Sequence, residues 1–300
     1  MVETNLKETN KEKIPRFNLH LSSGLKITDT IKRKNIISVP SLGLGTYKMI
    51  GDTCYNAVKI AILNGYSLID TAEYYDNETQ IGKAIKELID NKIITRKNLF
   101  IISKVWYDHL RYDDVIDACL SSLKRLGTDY IDLYLIHWPN KNISMEETFE
   151  AFERLFHEGK IKYIGVSNFT IRHLKEAMAI SKVPILFNEI EFHPFLYQKE
   201  ILDFCNKNNI KIIAYSPIAR GLVNENNLLI DIGKKYKKTP VQISLRWLYQ
   251  HGIIAIPKGS SEEHIKENMN IFDFEISKED MEKINNLPQK RLVNPEFAEF

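Results

Sequence analysis

Residues 99–168 read LFIISKVWYDHLRYDDVIDACLSSLKRLGTDYIDLYLIHWPNKNISMEETFEAFERLFHEGKIKYIGVSN. Three short β-rich runs stand out, at 99–106, 131–138 and 161–168, with amphipathic stretches between them. The runs are largely continuous in Ile, Leu and Val, the pattern of parallel strands buried on both faces. Between the second and third, Phe149, Phe152, Leu155 and Phe156 recur at i, i+3, i+6 and i+7, which predicts a helix closed by Gly159. The same unit extends in both directions. Towards the N-terminus lie the runs 41–46 and 66–72, the latter followed by a helical stripe of Ile81, Ala84, Ile85, Leu88 and Ile89. Towards the C-terminus lie 185–192, 211–218 and 252–259. Eight strand-helix units in about 250 residues is the arithmetic of an α/β (β/α)8 TIM barrel; a doubly wound sheet is the alternative. Ahead of the first unit, residues 17–39 hold two alternating stretches and a Ser-Gly turn, which predicts an N-terminal β-hairpin.

The chain has 300 residues, 44% hydrophobic and 27% charged, enough apolar side chain for a sizeable core. No Pro/Gly/Ser-rich linker divides it, so a mobile tail over 1–13 and a single domain over 14–300 are expected. Lys and Arg number 41 against 39 Asp and Glu, a net charge of +2 that calls for no nucleic acid or anionic membrane. No apolar run has the length of a membrane span, and the polar N-terminus has no signal-peptide core. Three scattered cysteines, Cys54, Cys119 and Cys205, fit a reducing compartment, so a cytoplasmic location is expected. Nothing suggests a partner surface, which leaves a monomer as the default.

In a barrel of this kind the active site gathers where strands end and βα loops begin. Here those ends carry Asp70, with Tyr75 five residues on, then Lys104 and His137. A lysine and a histidine directly after apolar strand residues are costly to bury unless paired. Together the four can move a proton. A tyrosine holds its proton to roughly pH 10 and becomes a better acid if a cation lowers that value. Lys104 would be the cation, Asp70 its anchor, and His137, neutral, a donor that orients a substrate oxygen. The alternative is a buried structural ion pair, a surface tyrosine and a satisfied core histidine.

The strings LGLGTY, DTAEYYDNE, SKVW, LIHWP, EGKIKYIGVSNF, AYSP and IPKGSS…EN, in this order, resemble the aldo-keto reductases over residues 36–300, and the short C-terminal segment is similar to that of the microbial, prostaglandin-F-synthase-like and 2,5-diketo-D-gluconate-reductase-like branch. The resemblance implies NADP(H)-dependent interconversion of carbonyls and alcohols. It places the family's catalytic tetrad on Asp70, Tyr75, Lys104 and His137. It also implies a cofactor site. Tyr215 would stack on the nicotinamide face, and Ser167 and Asn168 would hold the carboxamide, although a Ser-Asn pair is also a common helix cap. Ser216 and Arg220 would lie near the pyrophosphate. Lys258, Ser260 and Ser261, just before a helix, would form an anion site for the 2′-phosphate of NADP, with Glu267 and Asn268 at the adenine. The sequence GLGTYK has Lys48 where a third glycine would complete a Rossmann fingerprint, so that module is not indicated.

Two positions depart from the family pattern. His264 stands where many members have an arginine beside the 2′-phosphate. A histidine is half-charged near pH 6.5, so the preference for NADP should weaken from about pH 6 to pH 8. Glu189, in NEIEFHP, replaces a neutral amide that contacts the nicotinamide. An ionised Glu189 would favour NADP⁺ over NADPH; a buried, protonated one would mimic the amide. Tyr47, Trp106 and Trp138 match aromatic pocket positions. The short connection PNKNIS and the short C-terminal segment suggest an open pocket and broad use of small aldehydes, dicarbonyls or keto-sugars. Two other functions compete: a nucleotide-sensing regulatory subunit of the same fold, and a metal-dependent barrel hydrolase. No metal is expected, since HxH and HExxH patterns are absent; His193 reads as a loop residue, and His20 and His109 as unpartnered.

Overall fold

In the computed structural model, residues 14–20 and 36–300 are described. The expected tail over 1–13 and the Ser-Gly turn of the hairpin lie outside them. The hairpin strands are β1 (Arg16–His20) and β2 (Ile36–Pro40), paired antiparallel with Phe17 opposite Val39. Eight parallel strands follow: β3 (Leu44–Gly45), β4 (Leu68–Asp70), β5 (Phe100–Val105), β6 (Ile131–Ile136), β7 (Ile161–Ser167), β8 (Ile185–Glu191), β9 (Lys211–Tyr215) and β10 (Ile254–Ala255). Each predicted run contains one of them. They pair in sequence order from β3 to β10. The ring then closes, because Leu42 bridges Ala255 and Gly45 bridges Lys258 in parallel. Closure excludes the doubly wound sheet.

The outer helices are α1 (Gly51–Leu63), α2 (Glu78–Asp90), α3 (Tyr112–Leu126), α4 (Met145–His157), α5 (Ile171–Ile180), α6 (Lys199–Lys207), α7 (Asn227–Tyr236), α8 (Pro240–Gln250), α9 (Glu262–Met269) and α10 (Lys278–Asn285). The predicted stripes face the sheet. Phe149, Phe152, Leu155 and Phe156 are buried on α4, and Gly159 follows its C-cap at φ 72°. On α2, Ile81, Ala84, Ile85 and Leu88 are buried.

Two apolar clusters separate inside from outside. The larger lies between the helices and the outer face of the sheet. The smaller fills the lumen with Leu68, Phe100, Ile102, Leu133, Leu135, Phe187, Ile213 and Ile254, and it includes Leu19, Ile37 and Val39 of the hairpin. The hairpin alternates buried and exposed residues, as a ribbon with one dry face must. It plugs the end where the strands begin. The glycines of LGLGTY serve closure. A Cβ on Gly45 would lie 2.5 Å from the Ile256 carbonyl oxygen, and one on Gly43 would lie 2.1 Å from Leu68. Among the described residues, the plugged bottom and tight seam leave the C-terminal mouth for chemistry.

Candidate active site

Three strand ends and one turn deliver the expected quartet to a single point. Asp70 ends β4, Lys104 is one residue from the end of β5, and His137 directly follows β6. Tyr75 ends a short 3-10 turn, Glu73–Tyr75. Asn77 fixes that turn. Its side chain donates to the Thr46 and Met49 carbonyls at 2.9 Å each and accepts from the Thr71 hydroxyl at 2.6 Å. Thr46 in turn donates to the Asp70 carbonyl at 2.7 Å. Glu73 accepts from the Trp106 backbone N–H and holds His109 at 3.3 Å, so His109 has a partner after all. Asn77, Thr46, Thr71 and Glu73 were missed from the sequence, although an Asx residue inside a loop is the ordinary sign of a side chain serving backbone groups.

Lys104 is fully buried. Its Nζ lies 2.6 Å from Asp70 Oδ2, 3.0 Å from the Thr71 carbonyl, 3.2 Å from Glu189 Oε1 and 3.4 Å from Tyr75 Oη. Burial opposes its charge, but Asp70 and Glu189 more than offset it, so the ammonium is held above its ordinary range. Tyr75 departs from expectation. Burial pushes its hydroxyl above the usual tyrosine range, and Lys104 only opposes that rise. The cause is desolvation: the phenolate would sit among buried groups that already include two carboxyls. His137 is buried, its pKa driven well down by desolvation and then by Lys104, so it is neutral as expected. Burial likewise pushes Glu189 well up, with Asp70 adding to it and Lys104 opposing. The protonated alternative for this residue is the one the surroundings favour.

Beside the quartet the Ser-Asn pair forms a network. Ser167 donates to the Glu189 carbonyl at 2.9 Å, Asn168 donates to the His137 carbonyl at 3.0 Å, and the Tyr215 hydroxyl donates to Asn168 Oδ1 at 2.7 Å. The pair caps no helix, because Thr170 is the N-cap of α5. Asn168, Ser216, Ala219 and Arg220 all have positive φ, an unusual density of strained backbone at the ends of β7 and β9. Among the described residues, buried His137 Nδ1 and Glu189 Oε2 have no hydrogen-bond partner. Such atoms at the mouth of a barrel fit a site that a polar ligand completes.

The remaining cofactor candidates lie together on the β10 side. Lys258 donates to the Lys48 carbonyl at 3.1 Å and is exposed, as is Ser260. Ser261 is the N-cap of α9, accepting from the His264 backbone N–H at 3.2 Å. His264 is exposed, Glu267 half-buried and Asn268 buried on the same helix. Glu262 and Glu263 occupy the first turn, where they oppose an anion at the helix start. Arg220 is exposed in the 3-10 segment after β9, the strand that pairs with β10.

Aromatic rings wall the mouth. Tyr47 lies 5.0 Å from Tyr75, centroid to centroid, and Trp106 lies edge-on to His137 at 5.0 Å. Trp138 is nearly buried. The C-terminal segment, though short, reaches this wall. Phe297 stacks on Tyr107 at 4.3 Å and meets Trp106 and Trp138 edge-on, while Phe300 meets Trp138 and Arg291. The pocket is therefore less open on that side than segment length alone suggested. No linear pattern announces the two phenylalanines, since they reach the site only through the fold. His193 is also more than a loop residue: it is fully buried and 2.9 Å from Glu191.

A fully buried lysine between carboxyls, a tyrosine within its reach, a neutral histidine and a wall of aromatic rings can protonate an oxygen held at the barrel mouth. The model of the Aldo/keto reductase family matches residues 41–288. The chain belongs to the aldo/keto reductase family. It is 44% identical over 270 residues to a glyoxal reductase of Bacillus subtilis (strain 168), covering 90% of this chain and 96% of that protein. It is 38% identical over 270 residues to a 9,11-endoperoxide prostaglandin H2 reductase of Trypanosoma cruzi (strain CL Brener), covering 89% and 94%. Among solved structures, an aldo-keto reductase complexed with NADPH superposes with a TM-score of 0.85 at 34% identity, covering 95% of this chain and 91% of that one. This aldo/keto reductase is thus an oxidoreductase. Among its described residues no helix is long and apolar enough to cross a membrane.

Proposed function

We propose that this family member is an NADPH-dependent reductase of small aldehydes and ketones, with Tyr75 as the general acid. The observation that carries the reading is the placement of Tyr75 Oη 3.4 Å from a fully buried Lys104 that is itself anchored on Asp70 at 2.6 Å. When bound, NADPH supplies a hydride to the carbonyl carbon. The protein's part is to bind, orient and protonate. Trp106, Trp138, Tyr47 and the C-terminal phenylalanines exclude water from the carbonyl, and neutral His137 donates a hydrogen bond to its oxygen. Tyr75 then gives that oxygen its proton, while the nearby ammonium stabilises the phenolate that forms.

Tyr215, Ser167 and Asn168 hold the nicotinamide, Ser216 and Arg220 the pyrophosphate, and Lys258, Ser260, Ser261 and His264 the 2′-phosphate, with Glu267 and Asn268 at the adenine. The cofactor's type is supported by the NADPH-bound neighbour and the substrate class by the glyoxal reductase and the two-carbonyl chemistry in its name. The protein acts as a monomer in the cytoplasm. The test is NADPH titration followed by oxidation assays over a panel that includes methylglyoxal, simple aldehydes and keto-sugars. Binding with turnover on the small carbonyls is expected. Binding without turnover on any of them would replace this reading with the nucleotide-sensing subunit.

A further inference from the structure

Four acceptors face the three hydrogens of the Lys104 ammonium. Asp70 and the Thr71 carbonyl take the two shorter contacts, at 2.6 and 3.0 Å. Glu189 Oε1 at 3.2 Å and Tyr75 Oη at 3.4 Å compete for the third. Glu189 comes from β8, across the barrel from β5, and is almost wholly buried. Its second oxygen, Oε2, has no protein partner among the described residues. Charge counting adds to this. Asp70, Glu189 and Lys104 with both acids ionised would leave a net negative charge in a dry site, and one proton on the carboxyl pair removes it. Asp70 holds the short ion pair, so the proton belongs on Glu189.

We propose, on the reductase reading above, that Glu189 is the proton reserve of the site, a positioning residue that resupplies Tyr75 through Lys104. The transfers balance. As the substrate oxygen takes its proton, the Tyr75 Oη–H bond breaks. A Lys104 Nζ–H bond then breaks as Oη regains its hydrogen. The Glu189 O–H bond breaks last, as Nζ regains its third hydrogen. Lys104 ends as the ammonium, Tyr75 as the phenol, and Glu189 as a carboxylate. That anion would lie beside the positively charged ring of the oxidised cofactor. Solvent reprotonates Glu189 when the cofactor exchanges. A neutral amide at this position could hold the ring but could store no proton.

The groups facing Glu189 are Asp70 on β4, Lys104 on β5, Tyr75 on the 3-10 turn and Tyr215 on β9. Burial and Asp70 hold the acid form at neutral pH, with Lys104 opposing. The ring's positive charge is what tips the balance to the carboxylate.

Three readouts decide the matter. Infrared spectra of the cofactor-free protein should show a protonated-carboxyl C=O stretch that is lost in Glu189→Gln. Calorimetry of NADP⁺ binding in two buffers of different ionisation enthalpy should show proton release in the wild type and none in Glu189→Gln, whose NADP⁺ affinity relative to NADPH falls about tenfold. In single turnovers followed with a pH indicator, proton uptake from solvent should lag behind NADPH oxidation in the wild type and coincide with it in the variant. NADP⁺ binding to the wild type without proton release would overturn the reserve with no need of the variant. Proton release that persists in Glu189→Gln would do the same. If the wild type binds NADPH and turns over a carbonyl in these cases, the reductase reading survives. If it does neither, both fall.

Discussion

Two effects meet at the Tyr75 hydroxyl: burial raises its pKa and Lys104 opposes the rise. The net direction has a consequence. An acid held above its ordinary range keeps its proton through neutral pH, so the rate of carbonyl reduction should stay flat with rising pH to about pH 9, as a stopped-flow pH series would show. Removing the opposing cation in Lys104→Met should lower kcat by about a hundredfold or more while NADPH titration still shows binding. Asn77→Ala removes the clamp that holds the turn bearing Tyr75. It should cut kcat about tenfold with little change in NADPH affinity, since Asn77 touches no residue assigned to the cofactor. Asp70, Lys104 and His137 could be read in the chain because each is a polar exception at the end of an apolar run, and Tyr75 because it follows Asp70 by five residues in the loop that opens there. The contact between Glu189 and Lys104 could not, because it joins strands that meet only when the barrel closes.

Elements divide the same way. The stripes of α2 and α4 were legible because a buried face imposes a helical period. The 3-10 segment Ala219–Glu225 was not, since Arg220 and Gly221 leave helical geometry inside it. Nor was the strap formed by the C-terminal segment. Glu191, at the end of β8, accepts from the backbone N–H groups of Leu292 at 2.8 Å and Val293 at 3.0 Å and lies 2.9 Å from His193. Arg291 stands 4.0 Å away. Burial pushes this carboxyl up, but the His193 hydrogen bond and the two backbone donors outweigh it, and the net shift is downward. A carboxylate with a depressed pKa stabilises its contacts above its unfolded pKa and loses them as pH falls through the folded one. The strap carrying Phe297 and Phe300 should therefore loosen in acid, below the ordinary glutamate range. Glu191→Gln should loosen it at neutral pH, raising the KM of a bulky aldehyde several-fold more than that of methylglyoxal. Equal KM values for wild type and variant would remove the strap from the pocket.

For the whole molecule, the eight-fold repeat made the barrel legible, and its short seam is the point of greatest constraint. Gly45→Ala would place a methyl against the Ile256 carbonyl, so it should cost about 1–3 kcal/mol and lower the melting temperature by several degrees. Barrel, plug and seam together leave one mouth, and the account turns on what Tyr75 does there. The most direct test compares wild type and Tyr75→Phe in NADPH-dependent reduction of methylglyoxal, with NADPH affinity measured on both by fluorescence titration. The account predicts that turnover collapses by at least about a hundredfold in Tyr75→Phe while NADPH affinity holds. Turnover retained in the variant would contradict it and place the acid elsewhere.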